Sequence, residues 1–152
     1  MQRRPTFAAA AVRGAAAGIA GSVAMTAFQK LVEMPLTGRP ASYAPARFAE
    51  KVLPISPAAG TGRTVLNYAA HVTIGAAWGV GHALVARSGL RGQRAVGAAF
   101  CALYVGDVLV NMALGLYKPW RWSAADWTID VGEKLLLAEG TGYVYEQIAA
   151  RP

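Results

Sequence analysis

One cysteine, two histidines and eight acidic residues are all that this chain of 152 residues offers to metal, redox or hydrolytic chemistry. Cys101 stands alone, so an intramolecular disulfide and a cysteine-based zinc site are both excluded, and its apolar neighbourhood makes it a small packing residue. His71 and His82 are eleven residues apart on one side of a helix. At 1.5 Å per residue that is about 16 Å, too far to ligate one haem iron from both faces. No hydrolytic triad or metal-ligating pair is present, and Gly60, Gly62 and Arg63 lack the spacing and the Lys-Ser/Thr pair of a phosphate loop. The chain therefore reads as non-enzymatic, with no cofactor and no bound metal expected.

Charge is also scarce, at 15% of residues against 55% hydrophobic. A net charge of +7 would point to nucleic acid in a water-soluble protein. Here the basic residues are scattered through short links and segment ends, with no basic run interleaved with aromatics. No nucleic-acid partner is expected.

What the chain does have is long apolar runs. Residues 65–86 and 95–116 form two such stretches of 22 residues, joined by a link carrying Arg87, Arg91 and Arg94. Each makes a helix of about 33 Å, enough to cross a hydrocarbon core of about 30 Å. Most of the 17 glycines lie inside apolar segments, where they would weaken a soluble helix but allow close approach between membrane helices.

The first 28 residues have two readings. Arg3 and Arg4 before an alanine-rich run that ends in Ala24, Met25, Thr26 and Ala27 resemble a secretory signal. Arg13 interrupts that run, however, and more membrane-like sequence follows. A first membrane helix over residues 14–32 is preferred, with Gly14, Gly18 and Ser22 at four-residue spacing as a smooth packing face. Residues 33–64 then read as a long loop broken by Pro35, Pro40, Pro45, Pro54 and Pro57, with a short interfacial helix over 46–53.

A fourth helix begins at Ser123, because Asp126 three residues later completes a helix-start signature. Lys118, Trp120, Arg121 and Trp122 before it have the composition of a membrane-interface belt. The helix runs to about residue 149 and carries Asp126, Asp130, Glu133 and Lys134 within about a quarter of its circumference. It spans only if that stripe faces the other helices; the alternative is a helix lying along the surface. The expected fold is thus all-α: one domain, residues 1–152, as an integral membrane bundle of four transmembrane helices at about 14–32, 65–86, 95–116 and 123–149.

Orientation rests on a single link. With four spans, Arg3, Arg4, Arg13, Arg87, Arg91, Arg94 and Arg151 lie on one side and Lys30, Arg39, Arg47, Lys51, Arg63, Lys118 and Arg121 on the other, an even division. The short Arg-dense link is where the positive-inside rule acts most reliably, so both termini are expected in the cytoplasm.

Depth along the helices sorts the polar side chains. Measured from the face where the second and fourth helices enter, His71, Asn111 and Asp130 lie about 8 to 10 Å down and Asp107 and Glu133 about 14 to 15 Å. Asn67 shares a helix face with His71, and Asp107 shares one with Asn111. Asn67, His71, Asp107, Asn111, Asp130, Glu133 and Lys134 therefore form one expected intramembrane polar cluster, and His82 with Glu139, about 24 to 26 Å down, a second pair. Gly75 and Gly79 add to the expected packing positions.

Glu33, Met34, Pro35, Leu36, Thr37, Gly38, Arg39 and Pro40 after the first helix, a Pro-containing loop, and Asn67, His71, Gly75 and Gly79 opening the second resemble the YagU-like family of small bacterial inner-membrane proteins. The resemblance covers about half of the chain. It implies four membrane helices, the bacterial inner membrane and no established catalytic activity. Two functions follow as expectations. One is a small non-enzymatic membrane protein that packs with itself or with a larger membrane complex. The other is a proton-linked or cation-handling transporter that uses the polar cluster. A cavity reaching Asp107 and Glu133 separates the second from the first.

Overall fold

The computed structural model describes residues 6–56 and 59–150, and every regular element among them is helical. Arg3, Arg4, Pro57 and Arg151 lie outside the described residues. Helix α1 (Phe7–Phe28) runs into a widened turn over Gln29–Glu33 and then into α2 (Met34–Thr37). Next come α3 (Ala44–Val52), α4 (Thr61–Arg87), α5 (Gly92–Ala113) and α6 (Ala124–Ala149). Three helical stretches are long and apolar enough to cross a membrane: Phe7–Thr37, Thr61–Arg87 and Gly92–Ala113. Helix α6 matches them in length at 26 residues but carries six Asp, Glu or Lys side chains and falls outside that set.

The first helix is longer at both ends than its expected 14–32. Thr6 caps it by accepting a hydrogen bond from the Ala9 amide at 3.2 Å, and the alanines that follow have the highest helix propensity of any residue. At the other end, Pro35 does not stop the helix as the loop reading required. A proline ring clashes with the carbonyl four residues back, here Leu31. The turn before it dilates, so that the Met34 amide bonds to the Gln29 carbonyl five residues earlier. The helix ends only at Gly38, whose φ of 66° is left-handed. The loop is further shortened by α3 and by the early start of α4 at Thr61, so Pro35 and Pro45 both sit inside helices.

Helix α6 begins as its sequence signature dictates. Ser123 accepts a hydrogen bond from the Asp126 amide, and the Asp126 carboxylate accepts from the Ser123 amide at 2.8 Å. Trp122 packs edge-to-face on Trp127 at 4.9 Å, so an apolar contact across the cap adds to the hydrogen-bonded one.

Helix α1 packs antiparallel to both α4 and α6, and α5 closes the opposite side against the same two helices. The approach to α4 is backbone to backbone. A Cβ built on Gly14 would overlap the Gly79 carbonyl, one on Gly18 the Gly75 carbonyl, and one on Gly75 the Ser22 hydroxyl. On its other flank Gly21 lies against Leu137 and Thr141 of α6. Larger side chains fill the centre, where Met25, Trp78, Val96, Leu137 and Ala138 form the buried core. Helix α5 is held at a greater distance; Gly97 and Gly106 have nothing within 4 Å of where a Cβ would be.

Helix α3 lies along the start of α4. Its inward positions are Ala46 and Ala49, while Val52 and Leu53 are about half exposed. Asn67 fastens it, accepting from the Ala46 amide at 3.1 Å and donating to the Ser42 carbonyl at 3.0 Å. Arg63 pairs with Glu50 at 3.1 Å, and the Tyr43 hydroxyl meets that of Thr64.

Candidate functional site

Where the C-terminal part of α1 meets the starts of α4 and α6 and the end of α5, the helices enclose an open-sided cavity of about 740 Å³. Small residues explain the space: Gly75 and Ala77 on α4 and Ala102 and Gly106 on α5 all line it. Its polar wall comes from all four long helices.

The centre of that wall is Lys134. Its ammonium lies 2.8 Å from Asp107 Oδ2 on α5 and 2.8 Å from Asp130 Oδ1 one turn back on α6. It also reaches the Tyr117 hydroxyl at 3.3 Å and stands over the Tyr117 and Tyr104 rings, 4.9 and 5.2 Å from their centroids. Tyr104 in turn donates to Asp130 Oδ2 at 2.9 Å. Asp107 Oδ2 has no aligned hydrogen-bond donor, so its contact with Lys134 is an ion pair. Asn111 holds the other oxygen by donating to Asp107 Oδ1 at 3.1 Å. Two carboxylates around one ammonium leave this nest with an excess negative charge, in a site where ammonium and carboxylates are each at most 18% exposed.

A second group lines the same cavity. Gln29 donates to Glu133 Oε1 at 2.6 Å, and the Glu33 carboxyl lies alongside that of Glu133. The dilated turn before Pro35 aligns Gln29 and Glu33 on one side of α1. Nearer the mouth, Arg39 pairs with Asp126, and Lys30 lies over the Tyr68 ring at 4.8 Å.

Of the residues expected to cluster, Asp107, Asn111, Asp130 and Lys134 are thus in direct contact, with Glu133 on the same cavity. Asn67 and His71 also line the cavity but use their polar atoms elsewhere. Asn67 holds α3, and His71 Nε2 meets the Ser22 carbonyl at 3.4 Å. His82 and Glu139 do not pair. Glu139 accepts from Gln93 of α5 at 2.9 Å. His82, 3% exposed, packs edge-on against Tyr145 with Nδ1 unpartnered. His82 lies beside Gly142 and Tyr145, further along α6 than Glu139, so the expected pairing fails in height.

Tyr104, Tyr117, Gln29, Glu33 and Arg39 are functional candidates that sequence reasoning did not place in the cluster. For Tyr104 a signal was available: it lies three residues before Asp107 and so on the same helix face. Glu33 and Arg39 were obscured by the loop reading of Pro35. Among the described residues no group of three or more His, Cys, Asp or Glu side chains is arranged to hold a metal ion. No family model, no curated protein and no solved structure matches the chain, so the YagU-like resemblance stands on the quoted residues alone.

Proposed function

We propose that this chain is a non-enzymatic membrane protein with four spans that handles cations, linked to proton movement, through the cavity between its helices. The observation that carries the reading is that one cavity reaches both Asp107 and Glu133. Ionisable groups within a membrane are costly unless they are paired or line a watery space, and such groups mark ion and proton paths. A protein that needed these residues only to fix its helices would bury them dry.

Spanning by α6 is supported by what it turns outward. Between residues 129 and 145 its exposed positions are Gly132, Leu135 and Tyr143, while Lys134, Thr141 and Gly142 are buried. The reading in which the chain packs against itself or a larger complex relied on its small-residue faces. Gly14, Gly18, Gly75 and Gly79 meet one another within the chain, so those faces are already occupied.

Transport is tested by reconstituting the full chain into liposomes loaded with a pH-reporting dye and imposing a cation gradient. A cation-dependent change of internal pH is expected, reduced at least tenfold by Glu133→Gln. Dye traces identical to those of empty liposomes across all cations would overturn it.

The YagU-like resemblance and the Arg87, Arg91 and Arg94 link support placement in the bacterial inner membrane with both termini cytoplasmic. Reporters fused at Pro152 and within residues 88–93 are expected to read cytoplasm. A periplasmic signal from either one reverses the orientation.

A further inference from the structure

We infer that the cation taken by this cavity is an organic ammonium with an apolar body, not a metal ion. The inference rests on the cation-handling reading and specifies its substrate class.

The protein already displays the chemistry that recognises such a group. Lys134 is a primary ammonium held by two carboxylates, a tyrosine hydroxyl and the faces of two tyrosine rings. Ring faces attract ammonium groups through the quadrupole of the π system, and clusters of aromatic rings recognise substituted ammonium ligands. The same cavity has acidic side chains in excess of basic ones to receive a second cation. Five carboxylates line it against three lysine and arginine side chains. Arg39 is taken by Asp126 and Lys134 by Asp107 and Asp130, while Lys30 rests on Tyr68. Among the described residues no basic side chain forms an ion pair with Glu33 or Glu133, whose carboxyls hydrogen-bond to each other and line the same cavity as the Lys134 nest.

The rest of the wall selects the kind of cation. Calcium and magnesium take six or more oxygen ligands, and magnesium sheds its water reluctantly. Apart from its polar strip this cavity is walled by Met25, Ile74, Trp78, Leu103, Leu137 and Phe48, none of which replaces a hydration shell. No metal-holding group of side chains is arranged among the described residues. An ammonium bearing an apolar substituent satisfies both parts at once, with its charge on Glu33 and Glu133 and its body against the apolar wall. The volume of about 740 Å³ lies in the range of roughly 300–1,000 Å³ typical of small-molecule pockets.

The test is calorimetric titration of the full chain in lipid nanodiscs with four probes: benzyltrimethylammonium, tetramethylammonium, sodium and magnesium chlorides. Benzyltrimethylammonium is expected to bind at least tenfold more tightly than tetramethylammonium, because only it carries an apolar body. Sodium and magnesium are expected neither to bind nor to compete. Glu133→Gln retains the hydrogen bond from Gln29 and is expected to weaken benzyltrimethylammonium at least tenfold; Glu33→Gln serves as an independent second variant. Binding of sodium or magnesium with no organic binding overturns this inference and leaves the cation-handling reading standing. No binding by any of the four overturns both. Organic binding unchanged by both variants places the ammonium elsewhere and overturns the assignment of this cavity.

Discussion

Gly79→Leu is expected to abolish the folded bundle, and Gly79→Ala to lower its stability by about 3 kcal/mol, at the upper end for overpacked cores. A Cβ at Gly79 would run into the carbonyl of Gly14 and lie 2.7 Å from the amide nitrogen of Gly18. Those atoms are backbone, so no side chain can rotate away and α1 must move off α4 as a whole. The control is Gly97→Ala. Gly97 sits in a helix with nothing within 4 Å of its added carbon, so the same substitution should gain about 0.5 to 1 kcal/mol from the helix preference for alanine. Tryptophan fluorescence during thermal unfolding in detergent measures both. Equal effects at the two positions would show that the α1–α4 approach does not hold the bundle together.

Lys134→Met should be almost as damaging, costing about 3 to 5 kcal/mol, the usual result of removing one partner from a buried ion pair. The two aspartates would lose the ammonium that holds them, in a wall where Lys134 is only 11% exposed. Adding Asp107→Asn to Lys134→Met removes one uncompensated carboxylate and should recover part of the loss. Asp107→Ala is likewise expected to destabilise more than Glu50→Ala or Glu146→Ala. Glu50 is paired with Arg63 at a partly exposed site, and surface pairs of this kind contribute about 0 to 1 kcal/mol. Glu146 is exposed, and its partner is the Gly92 amide at the far end of α5. Unfolding midpoints that rank Glu50→Ala with Asp107→Ala would refute a central role for the ammonium nest.

The residues that were legible along the chain are those whose cause is local. Ser123 and Asp126 start α6 through hydrogen bonds closed within one turn, so their signature needed nothing from the rest of the molecule. The runs that became α4 and α5 are apolar over a whole span, which only helices with internally satisfied backbones suit in a membrane. Asp107, Asp130 and Lys134 could be grouped because rise per residue fixes the height of a side chain in neighbouring antiparallel helices. Pro35 misled because a proline usually closes a helix. Here one widened turn absorbs the clash with the Leu31 carbonyl and carries Glu33 to the cavity.

What the order of residues determined, then, is helix content, the two central apolar spans and the matched depth of Asp107, Asp130 and Lys134, all properties of one segment read by itself. Rotation about each helix axis was decided only by packing. It turned Gly14, Gly18 and Ser22 onto Gly75 and Gly79, and it sent Glu139 to Gln93. The cavity belongs to that second class as well. Backbone contact draws α4 against α1, while α5, packed through larger side chains, stands farther off, and the space left between them exists in no single helix.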